Sequence, residues 1–272
     1  MKITVLMDNL ETEGFTTEWG LSLWIENGFR KILLDAGDSG AFLENAAKLG
    51  IDPGIADYGV LSHAHFDHAD GLSAFFAKSE KAKVFLRREC AEDCYKGQGD
   101  DAKYIGIRKG YLDMYDDRFI YVDGDYEIEP GVWLIPHKMS REQAEACGRG
   151  ADMYRCKCGC WSVDTFDHEQ SLVLDSPRGL VIINGCCHGG AAQIISEVHE
   201  TFPDKHIYTL IGGFHLFRSS DEEIEDCIRM VRETGIERVY TGHCTGERAV
   251  ELFRQAMGEA AVEIRSGLEI EI

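Results

Sequence analysis

Leu61-Ser62-His63-Ala64-His65-Phe66-Asp67-His68-Ala69-Asp70-Gly71 places three histidines and two aspartates within residues 63–70, directly after the apolar run Tyr58-Gly59-Val60-Leu61. Side chains on a strand alternate with a period of two, so His63 and His65 leave the strand end on the same side. A turn after them lets Asp67 and His68 face the same point from the far side. Neutral imidazole and carboxylate are donors that zinc, iron and manganese accept. The spacing His-x-His-x-Asp-His therefore predicts one arm of a two-metal site. The plain alternative, a solvated polar turn before a helix, has no need of so dense a ligand set.

Outward from this motif, residues 2–7 form an opening strand, and residues 21–25 and 31–35 pair as a hairpin about the type I′ signal Asn27-Gly28. Ser39 can cap a helix running to Leu49, which Gly50 stops. Helices are expected over 69–77 and 87–95, with strands at 83–86, 119–122 and 132–135. No period holds over 96–118. Residues 137–167 read as a long loop overhanging the pocket and carry Cys147, Cys156, Cys158 and Cys160. Cys-x-Cys-x-Cys lacks the two-residue gaps of a zinc knuckle, so a thiol-bearing loop is expected there rather than a structural metal.

Beyond it, strands at 171–174 and 180–183 flank a Ser176-Pro177-Arg178-Gly179 turn. A helix over 191–200 and a strand over 206–211 follow. Ser220-Asp221-Glu222-Glu223 is a capping box opening a helix that buries Ile224, Ile228 and Val231. A short strand at 238–240 precedes a helix over 246–257, capped by Thr245, with a core stripe of Ala249, Leu252, Phe253, Ala256 and Met257. The chain is expected to close on a strand pair, 262–264 with 268–270.

The 272 residues carry a net charge of −20 and 44% hydrophobic residues, ordinary for a soluble globular chain apart from the acidity. That acidity repels phosphate backbones and argues against nucleic acid as substrate. No stretch approaches the ~20 apolar residues of a membrane span, and residues 1–8 read as a strand rather than a signal peptide. A cytoplasmic location is expected, with no membrane partner and the ten cysteines as thiols.

Three later segments extend the first motif: Gly185-Cys186-Cys187-His188-Gly189-Gly190, Ile211-Gly212-Gly213-Phe214-His215-Leu216 and Thr241-Gly242-His243-Cys244-Thr245-Gly246. In this order the four resemble the metallo-β-lactamase-fold superfamily of metal-dependent hydrolases. Within it they resemble the subgroup whose named member is a dihydropterin–ribofuranosylaminobenzene phosphate synthase. Periodicity alone supports an α/β or α+β class; the resemblance implies a four-layer αββα sandwich, taken as one domain over residues 1–272. It also implies two divalent transition metals, zinc first and iron or manganese as alternatives. His63, His65 and His188 would hold one, and Asp67, His68 and His243 the other. The superfamily's bridging aspartate has no counterpart, because the strand concerned runs into Gly185-Cys186-Cys187-His188.

Two such metals make a hydroxide available at neutral pH, with Asp67 to orient it and shuttle its proton. His215, in a glycine-shaped turn, is expected to contact substrate and act in catalysis; His168 and Cys187 are expected as further substrate contacts. Cys186, Cys187 and Cys244 are expected either behind the ligands or as small buried hydrophobes. His137, His199 and His206 are isolated and expected to be surface or core histidines. The expected function is hydrolysis of a small anionic ester, lactone or phosphodiester through a metal-bound hydroxide. The alternatives are transfer of a pterin-methyl group to an aryl ribofuranosyl phosphate, and a non-hydrolytic di-iron redox or sensor role.

Overall fold

Strand alternation sorts the apolar side chains into three separate cores, and three cores between packed layers mean four layers. This holds in a computed structural model that describes residues 1–137, 140, 142 and 152–272. One sheet runs in the order β18 (Glu269–Glu271), β1 (Lys2–Met7), β2 (Ser22–Asn27), β3 (Arg30–Leu34), β4 (Tyr58–Val60), β5 (Lys83–Arg87), β8 (Phe119–Val122). The other runs β17 (Ala261–Glu263), β16 (Arg238–Gly242), β15 (Ile207–Gly213), β14 (Gly179–Ile183), β13 (Gln170–Ser176), β10 (Val132–Pro136), β9 (Tyr126–Glu129).

On β3, Ile32 and Leu34 enter the core between the sheets while Leu33 faces the other way. On β14, Val181 and Ile183 do the same while Leu180 and Ile182 turn outward. The first sheet's outer face is covered by α1 (Ala41–Lys48) and α3 (Leu72–Lys78), through Phe42, Ala46, Phe75 and Phe76. The second is covered by α5 (Ala191–Thr201), α6 (Asp221–Glu233) and α7 (Glu247–Met257), through Ile194, Ile228 and Phe253. The expected αββα sandwich is the observed architecture. Among the described residues no helix is long and apolar enough to cross a membrane.

Several local expectations change. The first hairpin turns on Gly28-Phe29, since Asn27 still pairs with Arg30; Gly28 takes φ +60° at the first turn position, the type II′ pattern. The expected helix over 69–77 is two pieces, α2 (Phe66–Ala69) and α3, so Asp67 and His68 themselves lie on a helical turn. No helix occupies 87–95; β6 (Cys94–Lys96) begins there instead. The unpatterned 96–118 segment holds β7 (Lys103–Tyr104) and α4 (Tyr111–Met114).

Much of the supposed loop before residue 167 is a hairpin, β11 (Met153–Lys157) and β12 (Cys160–Val163), joined to β6 and β7 in a small third sheet. Its turn residues Cys158 and Gly159 take φ +51° and +79°, and Cys158 and Cys160 are exposed. Cys147 lies outside the described residues. The two closing strands do not pair with each other: β17 lies beside β16 and β18 beside β1, one in each sheet.

Candidate metal centre

The site is assembled where strands of both sheets end. Asp8 and Asn9 follow β1, Asp35 follows β3, His63 and His65 follow β4, Cys186 and His188 follow β14, and His215 and His243 follow β15 and β16. The ring centroids of His63, His65 and His188 are separated by 4.6, 5.0 and 4.9 Å, a near-equilateral triangle. Their ligand nitrogens lie within 4.8 Å of one another. Beside them, Asp67 Oδ2 lies 3.5 Å from His243 Nε2 and 3.9 Å from His68 Nε2. The two trios implied by the resemblance are thus each brought together.

Most of these rings are held through Nδ1. His63 Nδ1 lies 2.9 Å from Ser62 Oγ, His68 Nδ1 2.7 Å from Asp35 Oδ2, and His243 Nδ1 2.9 Å from Asn9 Oδ1. Asp35 also accepts from the Ser62 amide (2.7 Å) and hydroxyl (2.6 Å), so one carboxylate orients two neighbours. The Nε2 atoms of His63, His65 and His243, and both ring nitrogens of His188, are buried with no hydrogen-bond partner. An unsatisfied buried polar atom costs about 1–3 kcal/mol, and a divalent cation removes that cost for one nitrogen of each ring by accepting its lone pair. The donor set fits a transition metal, with outer partners fixing the rings as in known metal sites.

Burial, followed by the neighbouring imidazoles, pushes the pKa values of His63 and His188 well down and that of His65 to about 3. These rings are neutral near pH 7, the form that ligates. Burial pulls the Asp67 carboxyl upward, but His68 and His243 outweigh it and hold it below the usual range. Burial alone would lower His243; Asp67, Cys244 and Asp8 bring it to about 9 instead.

The segment 168–170 braces the motif. Gln170 donates from its side chain to the Leu61 and Phe85 carbonyls and from its backbone to Ser62. Glu169 accepts from the amides of His188 (2.8 Å) and Gly189 (2.9 Å). Gly185 is required by close approach, because a Cβ there would strike Ser62 Oγ. Gly212 and Gly213 have the same role: their Cβ atoms would meet the Asn184 carbonyl and Cys244 Sγ. Asp35, Phe166, Cys187, His215 and His243 all take left-handed φ values of +48° to +57°. Such strain, roughly 1–3 kcal/mol each, concentrates at functional sites.

His215 is half-buried, with its ring 4.4 Å from that of His188 and its Nδ1 without a partner. It shares a group of ligand atoms within 4.8 Å with Cys186 and His188, and its amide donates to Cys244 Sγ at 3.2 Å. His168 and Cys187, expected as substrate contacts, are both fully buried. His168 lies behind His65, accepting from the Ala64 amide and facing Asp164 Oδ2 (3.3 Å) and Cys94 Sγ (3.7 Å). Cys187 packs in the core beneath α5. Neither presents surface to a substrate. His137 is a satisfied core histidine between Glu197 and Ser171, and His199 and His206 are exposed. Thr245 does not cap α7; its hydroxyl accepts from the Phe214 amide and meets Thr241. Sequence reasoning missed Asp8, Asn9, Asp35, Ser62 and Glu169; for the first three, an Asx residue just past a strand was the available signal.

Residues 20–140 match the sequence pattern of the metallo-beta-lactamase superfamily. The crystal structure of Tm1679, described as a metal-dependent hydrolase of the beta-lactamase superfamily, is 33% identical over 100% of this chain and 99% of that one, with a TM-score of 0.84. This chain belongs to the metallo-β-lactamase superfamily. A second relative, the 7,8-dihydropterin-6-methyl-4-(beta-D-ribofuranosyl)-aminobenzene-5'-phosphate synthase of Methanocaldococcus jannaschii, is 27% identical over 93% of this chain and 90% of its own length. A diphosphatase of the PhnP family shares the metallo-β-lactamase fold at 13% identity, full coverage of this chain, 97% of the other and a TM-score of 0.56. The superfamily's metal-dependent enzyme fold accounts for the convergence of strand ends on one cluster of imidazoles.

Proposed function

We propose that the chain is a metal-dependent hydrolase of a small anionic ester, lactone or phosphodiester. The observation that carries this is the set of buried, partnerless imidazole nitrogens beside an ionised Asp67. Bound divalent metals, zinc first and iron or manganese next, supply Lewis-acid polarisation and an acidified water. Asp67 accepts a hydrogen bond at its carboxylate, and Asp35 and Asn9 hold His68 and His243 in orientation. His215, at the edge of the site, donates from its ring to the leaving group. Trp19 and Phe217 are both exposed, lie 5.3 Å apart and adjoin His243 and His215, forming an aromatic wall beside the site. Arg218 stacks on Phe217 and pairs with Asp152 at 3.7 Å, so an anionic group that used its guanidinium would compete with that carboxylate. The description of Tm1679 as a metal-dependent hydrolase supports the same reading. A soluble cytoplasmic enzyme with a small-molecule substrate is the corresponding setting.

A second reading has its own support: similarity to the synthase over 93% of the chain, and an aromatic wall suited to a flat ring. There, the amino nitrogen of an aryl ribofuranosyl phosphate forms a bond to a pterin-methyl carbon and loses a proton as the carbon–oxygen bond to a phosphate leaving group breaks. Metal-reconstituted protein assayed against small phosphodiesters, lactones and esters should show turnover that chelation abolishes and Asp67→Ala removes. Coupling of a pterin-methyl phosphate donor to the aryl ribofuranosyl phosphate, with no hydrolysis across the panel, would establish the synthase reading instead.

A further inference from the structure

Cys186 differs from its neighbour Cys187 in what surrounds it. Cys187 is part of the apolar core under α5, whereas Cys186, equally buried, belongs to none of the three cores. Its Sγ lies 3.1 Å from His68 Nε2. It joins three separate groups of ligand atoms, each lying within 4.8 Å: with His63 and His68, with His188 and His215, and with His243 and Cys244. Those partners come from both metal trios, so the sulfur lies between them.

The local backbone is built for that position. Asn184 Oδ1 accepts from the Cys187 amide at 2.8 Å, and Gly185 lets the turn pass against Ser62 and His63. We propose that the Cys186 thiolate is the ligand shared by the two metal positions, standing where the chain offers no carboxylate. This rests on the metal-centre reading above. On metal entry the Cys186 Sγ proton leaves to solvent, since a coordinating thiol is held deprotonated. A bridging sulfur favours zinc, iron(II) or cobalt(II) over manganese, because thiolate is a soft donor.

Cobalt(II) titrated into chelator-treated, reduced protein tests this. Two equivalents should bind, with a thiolate-to-cobalt charge-transfer band in the near ultraviolet and metal–sulfur scattering at about 2.3 Å. Cys186→Ala should lose the band and weaken the second equivalent by at least about tenfold, since outer partners alone contribute that much. Cys186→Asp should lose the band yet bind both equivalents, and Cys244→Ser should keep the band. Wild-type protein that binds two cobalt ions without sulfur scattering overturns the thiolate bridge and leaves the metal centre standing. A band that survives Cys186→Ala and disappears in Cys244→Ser also overturns it, assigning the sulfur to Cys244. Protein that binds no cobalt removes the metal centre and the bridge together.

Discussion

His215 is the residue where ligand and catalyst are hardest to separate, because its ring touches His188 while its Nδ1 stays unpartnered. As a proton or hydrogen-bond donor it contributes ~10²–10⁴-fold to rate. His215→Ala should therefore retain metal and fold but lose that much kcat, measured together with metal content on the same sample; loss of metal would make it a ligand. Asp35 acts one step back, binding Ser62 and orienting His68. Asn tolerates its left-handed backbone and keeps its shape. Asp35→Asn should lower metal affinity by about 10–100-fold in a chelator-competition titration, with near-native melting of the metal-free protein. Unchanged affinity would mean that the charge on Asp35 does not matter to His68.

Among the elements, α6 is one whose start was fully legible. The Ser220 hydroxyl accepts from the Glu223 amide and Glu223 returns the bond to the Ser220 amide. Ser220→Ala should cost about 1 kcal/mol of stability, read from urea denaturation, with metal stoichiometry unchanged because the cap lies outside the ligand set. The β11–β12 hairpin was illegible because its strands are half-exposed and carry no clean alternation, and because Cys158-Gly159 is not among the usual turn pairs. Cys156, Cys158 and Cys160 sit on this hairpin. Replacing all three by Ser should leave metal stoichiometry intact, whereas loss of one equivalent would reveal a separate metal there.

Over the whole molecule, ring titration makes the metal-free fold sensitive to pH on both sides. Below about pH 6.5 an unfolded chain's imidazoles take up protons, while His63 and His188 resist and His65 waits until about 3. The unfolded state then binds more protons, so stability falls with acid, by up to about 1.4 kcal/mol per pH unit for each ring. Asp8, raised to about 6 by burial despite His243, and Glu169, raised by burial, offset part of this loss. His243 and His168 have raised values, so what they contribute is present below 6.5 and is lost as pH rises, through about 9 for His243. Melting of chelator-treated protein should therefore peak near neutrality and decline on both sides. A flat profile from pH 5 to 9 would contradict the buried neutral rings.

Ligand identity and spacing are local properties, so His63-x-His65-x-Asp67-His68 could be read from eleven consecutive residues, together with the strand preceding them. Hydrophobic alternation likewise located the central strands, and the order of the four motifs carried the sandwich. Which distant side chains share the site depends on which strand ends meet, and no local pattern encodes that. Only the tertiary structure set Asp35 behind His68, Asn9 behind His243 and Cys186 between the trios, while sending the adjacent Cys187 into the core. Cys187 itself takes a left-handed φ of +49°, a backbone turn that the letters Cys-Cys do not reveal.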